Sequence, residues 1–173
     1  TEKSRENSFS AGTLDISLTS FQDNFDPSED LKRGSTSTRT FTVKNLGTTE
    51  FIYNLEFESI PLENTPNYLC QEALLTVNKG KVEVYNDTLS NFSLHPKNTF
   101  SLKKGQEQDF SFVIKIPETS ENYIGGMTCT FDVLAKAWMS GYSFETAWQD
   151  SDYLENKIST TKWNQFDAGD VVI

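Results

Sequence analysis

Histidine is almost missing from this chain of 173 residues: His95 stands alone, and only two cysteines, Cys70 and Cys129, accompany it. A catalytic zinc centre needs about three protein ligands and a structural one about four, so this set falls short of both. No H-E-x-x-H pair occurs, and a Ser–His–Asp set would have to be built on His95 without any G-x-S-x-G elbow. No glycine-rich loop of the phosphate-cradling kind is present. Basic residues are scarce as well: 15 Lys and Arg against 25 Asp and Glu leave a net charge of −10. That balance argues against nucleic acid, whose phosphates require neutralising cations. No apolar run approaches a membrane span, and no leader-like segment opens the sequence, as expected of a mature chain.

The acidic residues that are present suggest calcium before any other ion, because hard carboxylate oxygens favour it over zinc. Asp23, Asp26 and Asp30 crowd one loop, and Asp150 and Asp152 another. Neither stretch has EF-hand spacing, and a solvated acidic loop explains both equally well. The expectation is therefore no cofactor, with Ca2+ as the candidate to test. The two cysteines lack C-x-x-C spacing. They form either one bridge, in an oxidising compartment, or two buried thiols. A bridge would close a loop of about 59 residues and stabilise the fold by roughly 4 kcal/mol if chain entropy dominates.

Aromatic residues supply much of the apolar area: thirteen Phe, six Tyr and three Trp. They fall in a period of two, which marks strands with one face inward. Leu14, Ile16 and Leu18 alternate with Asp15, Ser17 and Thr19. Phe41 and Val43, then Phe51, Tyr53, Leu55 and Phe57, flank Asn45-Leu46-Gly47-Thr48-Thr49, which reads as the loop of a hairpin. Phe110, Phe112, Ile114 and Ile116 alternate up to Pro117, and Cys129, Phe131, Val133, Ala135 and Ala137 share one face of the longest strand. Residues 68–75 suit a short helical turn. With no long amphipathic helix, the pattern predicts one all-β antiparallel sandwich with at most short helical turns.

Near the start, Asn7-Ser8-Phe9-Ser10-Ala11-Gly12-Thr13-Leu14-Asp15-Ile16 resembles the beginning of the mature region in the TasA/camelysin family. These are secreted proteins whose signal peptide is removed by a SipW-type peptidase. The order of features in residues 102–106, 109–117, 122–126 and 128–138 is similar to the closing half of that family's domain. The resemblance implies a jelly-roll-like sandwich over residues 9–148, preceded by a polar arm at 1–8. It also implies a Cys70–Cys129 disulfide, because the residues around both cysteines look like the family's paired cysteine segments. Residues 149–173 are expected to be a tail or linker. Their last seven residues resemble the approach to a lamin-tail-like domain.

The function implied is a non-enzymatic, secreted cell-surface or extracellular-matrix protein: a fibre or biofilm-matrix subunit that assembles with itself or with other surface proteins. In the TasA branch an N-terminal strand is given to a neighbour's open sheet edge. Thr1-Glu2-Lys3-Ser4-Arg5-Glu6 departs from that pattern in having no apolar residue to fill a groove. Two other readings follow. One is a carbohydrate- or protein-binding module of a larger surface protein, using Trp138, Tyr142 and Trp148 as a stacking surface. The other is a camelysin-like metallopeptidase, for which the zinc motif is missing.

Overall fold

Two stacked sheets bury the alternating residues. The computed structural model describes residues 12–20, 30–59, 68–141 and 149–163. Its strands are β1 (Ile16–Ser20), β2 (Asp30–Leu31), β3 (Thr36–Asn45), β4 (Phe51–Ser59), β5 (Leu74–Lys79), β6 (Val82–Thr88), β7 (Phe100–Leu102), β8 (Glu107–Lys115), β9 (Thr128–Met139) and β10 (Gln149–Thr160). A single-turn helix, α1 (Tyr68–Glu72), precedes β5. One sheet runs β1-β3-β8-β5-β6 and the other β2-β10-β9-β4-β7. Neighbours are antiparallel except β2 and β10. The chain is thus the all-β antiparallel sandwich that the period-two pattern predicts.

Between the sheets, Phe41 and Val43 of β3 and Phe110, Phe112 and Ile114 of β8 face Tyr53 and Leu55 of β4 and Phe131, Val133, Ala135 and Ala137 of β9. Phe41 stacks on Phe110 at 5.5 Å and meets the edge of Phe112 at 5.1 Å. Burying each such ring stabilises by about 1.5–3 kcal/mol, with about 0.5–1.5 kcal/mol more for well-oriented pairs. Cys70 of α1 is joined to Cys129 of β9, Cα to Cα 5.4 Å. The bridge ties the helical turn to the beginning of the central strand of the second sheet.

Two sequence expectations are corrected. The loop at Asn45-Leu46-Gly47-Thr48-Thr49 is not a hairpin, because β3 and β4 belong to different sheets. Asn45 holds the corner: its amide donates to Thr49 O and Leu102 O, each at 2.9 Å, and its Oδ1 accepts from the Gly47 N–H. The segment leading into β1 crosses this corner so closely that a Cβ on Gly47 would lie 2.3 Å from Thr13 O. Only glycine allows that approach.

The second correction concerns residues 149–173, expected as tail or linker. Gln149–Thr160 is instead a full strand, paired with β9 from Trp138 to Thr128. Beyond it Trp163 is buried in the core cluster, its backbone against Gly125, with the Arg33 guanidinium 4.4 Å over its ring. The sandwich therefore extends through Trp163. The lamin-tail-like resemblance, in residues 167–173, and the arm at 1–8 lie outside the described residues.

Candidate functional site

Any open sheet ends in strands whose outward N–H and C=O groups form a template for another chain. Among the described residues four such edges bound the sandwich, formed by β1 and β6 in one sheet and by β2 and β7 in the other. Their chemistry differs.

β2 has two residues and β7 three, too few for a stable ladder. Past β7, the same side of β4 is taken by the chain itself: Phe57 N donates to Phe92 O and Leu94 N to Leu55 O, at 2.9 and 3.0 Å. β1 is closed by side chains. Ile16 N donates to Asp150 Oδ2 at 2.9 Å and Leu18 N to Asp152 Oδ2 at 2.8 Å. Outward amides recur every second residue along a strand, and so do side chains on one face of the next. Asp150 and Asp152 of β10 therefore match Ile16 and Leu18 one for one, across the gap between the two sheets.

β6 is the long exposed edge, with seven residues of which Val82 is 64% exposed. A shallow depression of about 280 Å³ runs along it, lined by Glu83, Val84, Tyr85, Asn86, Asp87 and Lys97. Some of its outward groups are satisfied: Asn98 Nδ2 donates to Val84 O, the Asp87 carboxylate accepts from Thr88 N, and the Tyr85 hydroxyl donates to Thr88 O. Burial, and then the neighbouring Asp87 charge, push the Tyr85 phenol up to about 12, so it remains a donor at any ordinary pH. Thr88 has its main-chain N–H and carbonyl taken by side chains of its own strand, and the ladder to β5 is regular from Tyr85 to Thr88, so alternation turns the Asn86 main chain away from β5 as well. Among the described residues nothing pairs with the Asn86 amide from that side.

The predicted site residues separate. Cys70 and Cys129 are bonded. Trp138, expected on an exposed stacking surface, is 4% exposed, and its ring meets His95 edge to face at 5.9 Å. It does lie on the outer face of its sheet, as alternation requires, but the chain following β6 brings His95 over it. Tyr142 and Trp148, and the candidate calcium ligands Asp23 and Asp26, lie outside the described residues. Asp30 pairs through its backbone with Ser159. Among the described residues no three His, Cys, Asp or Glu side chains are grouped to hold a metal ion. The exposed aromatic pair that is described is a different one, Tyr68 and Tyr123, 43% and 57% exposed with rings 5.8 Å apart. Neither was singled out by the sequence, because each sits in a loop or turn without periodicity.

No protein-family model matches the chain, and no characterised protein sequence is significantly similar to it. Solved structures resemble it at low identity. AvmM, which catalyses macrocyclization in alchivemycin A biosynthesis, is 8% identical over 88% of this chain and 92% of its own, with a TM-score of 0.48. The E. coli chaperone DraB is 11% identical over 86% of this chain, with a TM-score of 0.44, and the match spans 56% of DraB. PapD-like domain 7 of human CEP192 is 10% identical over 86% of this chain and 87% of its own, with a TM-score of 0.43. Their roles differ from one another, so these are likenesses of strand arrangement alone.

Proposed function

We propose that this chain is a non-enzymatic structural subunit of the cell surface or extracellular matrix, of TasA/camelysin type, which assembles by strand addition. The observation that carries the reading is the difference between its sheet edges. β1 is closed by two carboxylates of the same chain, whereas β6 offers seven residues, a groove and an outward-facing main chain at Asn86. Strand addition draws its affinity from main-chain hydrogen bonds and its selectivity from alternate side chains entering a groove. An extended segment of a second copy, laid along β6, would meet both. The buried disulfide suits a secreted protein. The stacking-surface alternative loses Trp138, which His95 covers on the outer face of the sheet.

Asn86→Pro tests this. The substitution removes the amide offered to an incoming strand and leaves the hydrogen bonds to β5 in place, which proline at an edge permits. Secreted wild-type protein should form filaments visible by electron microscopy, and the variant should remain monomeric with an unchanged circular dichroism spectrum. Wild-type protein that stays monomeric at every concentration, or a variant that assembles equally well, overturns the reading.

A further inference from the structure

On the outer face of the second sheet, three side chains meet that together hold the parts of an amide-forming reaction. Asn54 of β4 lies directly opposite Lys136 of β9. Glu56, two residues along β4, is diagonal to Lys136 and within side-chain reach. One carboxylate touches both partners: Glu56 Oε1 accepts from Asn54 Nδ2 at 2.8 Å, and Oε2 lies 3.2 Å from Lys136 Nζ. The remaining polar atom of the carboxamide is held as well, since Asn54 Oδ1 accepts from the His95 backbone N–H at 2.7 Å. Asn54 is 1% exposed, and the side chains of Lys136 and Glu56 are 30% and 26% exposed.

Here the amine is positioned by the same carboxylate that holds the amide nitrogen it would displace. A base bridging nucleophile and leaving group can take a proton from one and give it to the other. A fixed backbone N–H on the carbonyl oxygen stabilises the charge that develops there during attack.

We propose that Lys136 and Asn54 become joined by an isopeptide bond, with Glu56 as proton carrier. Glu56 takes a proton from the Lys136 ammonium, and the freed Nζ lone pair attacks Asn54 Cγ. A C–N bond forms while the carbonyl π pair moves onto Oδ1, under the His95 N–H. Glu56 passes its proton to Nδ2 and accepts a second from Nζ. The C–Nδ2 bond breaks, the carbonyl re-forms, and ammonia leaves, taking up the second proton as ammonium. One amide is exchanged for another, so no oxidant, reductant or water is consumed. The product ties β4 to β9 covalently across the centre of the second sheet.

Intact-mass spectrometry of the folded, purified protein reads the bond directly. With the two hydrogens of the disulfide accounted for, the wild-type chain should be lighter than its sequence by one ammonia. Proteolysis after reduction should yield a branched peptide joining the Asn54 and Lys136 segments. Glu56→Gln and Lys136→Arg should each restore the full sequence mass. A wild-type chain at full sequence mass overturns the proposal. So does a loss of ammonia that persists in Lys136→Arg without a branched peptide, because that marks cyclisation of Asn54 onto its own backbone. The wild-type measurement alone is decisive, so a variant that fails to fold leaves no ambiguity.

Discussion

Truncating both carboxylates that close β1, in Asp150→Ala/Asp152→Ala, should destabilise the sandwich and open a second edge. Each carboxylate receives one main-chain amide, at 2.9 and 2.8 Å, in a part-buried setting. A hydrogen bond to a charged group contributes about 1.5–3 kcal/mol. Water can reach a sheet margin once the side chains are shortened, so the lower end applies, and the pair should cost about 3 kcal/mol together. For a domain of this size that is about 6–12 °C in Tm. Urea unfolding followed by tryptophan fluorescence should show a lower midpoint with an unchanged slope. The Asp150→Asn/Asp152→Asn protein keeps a neutral acceptor at each site and should lie between the two. The double-alanine protein should also self-associate, because the outward amides of Ile16 and Leu18 become available for strand pairing. If its stability changes by less than about 0.5 kcal/mol, which is usual for surface substitutions, the carboxylates are not what closes this edge.

Two further outcomes follow from the core and the outer face. Replacing both bridged cysteines, in Cys70→Ala/Cys129→Ala, should lower stability by roughly 4 kcal/mol, measurable as the same midpoint shift; a shift near zero would mean that α1 is held by packing alone. Asp132 lies opposite Glu155 on one side and Glu58 on the other. Burial first, then Glu155, then Glu58, raise its carboxyl above the ordinary 3.8. The folded state then binds the proton more tightly than the unfolded one, so this group's contribution to stability falls as pH rises from the unfolded pKa through the folded one. Asp132→Asn should therefore raise Tm at neutral pH and have little effect below about pH 3, where both states of the wild type are protonated. An advantage that grows on acidification would refute the assignment.

Strands whose inward face is apolar were legible because alternation is local. β3, β8 and β9 carry Phe41, Phe112 and Phe131 inward as their spacing requires. What the sequence could not reveal is the order in which strands pair. Asn45-Leu46-Gly47 has the chemistry of a turn in either a hairpin or a corner between sheets, and the choice rests on contacts with Thr13 and Leu102, far away along the chain. β10 was missed because Gln149–Thr160 is mostly polar, with Ile158 its one described residue in the apolar core. Its carboxylates spend their polarity on the β1 backbone instead of on solvent. The groove at β6 was hidden for the same reason: Val82, Val84 and Tyr85 mark a strand, but nothing local marks it as the last in its sheet. Trp138 was placed on the correct face of β9, and its cover came from residue 95, which periodicity does not reach.

The closure of β1 also sets a schedule. Ile16 and Asp150 are 134 positions apart, so when the chain is made from its N-terminal end the strand exists long before its guard. At about 5–20 residues per second, that interval is on the order of ten seconds of synthesis. Throughout it, the growing polypeptide carries a bare ribbon whose outward amides are left to water or to any strand that meets them. The first strand of the described fold is therefore open to mispairing until the stretch that carries Asp150 and Asp152 has emerged.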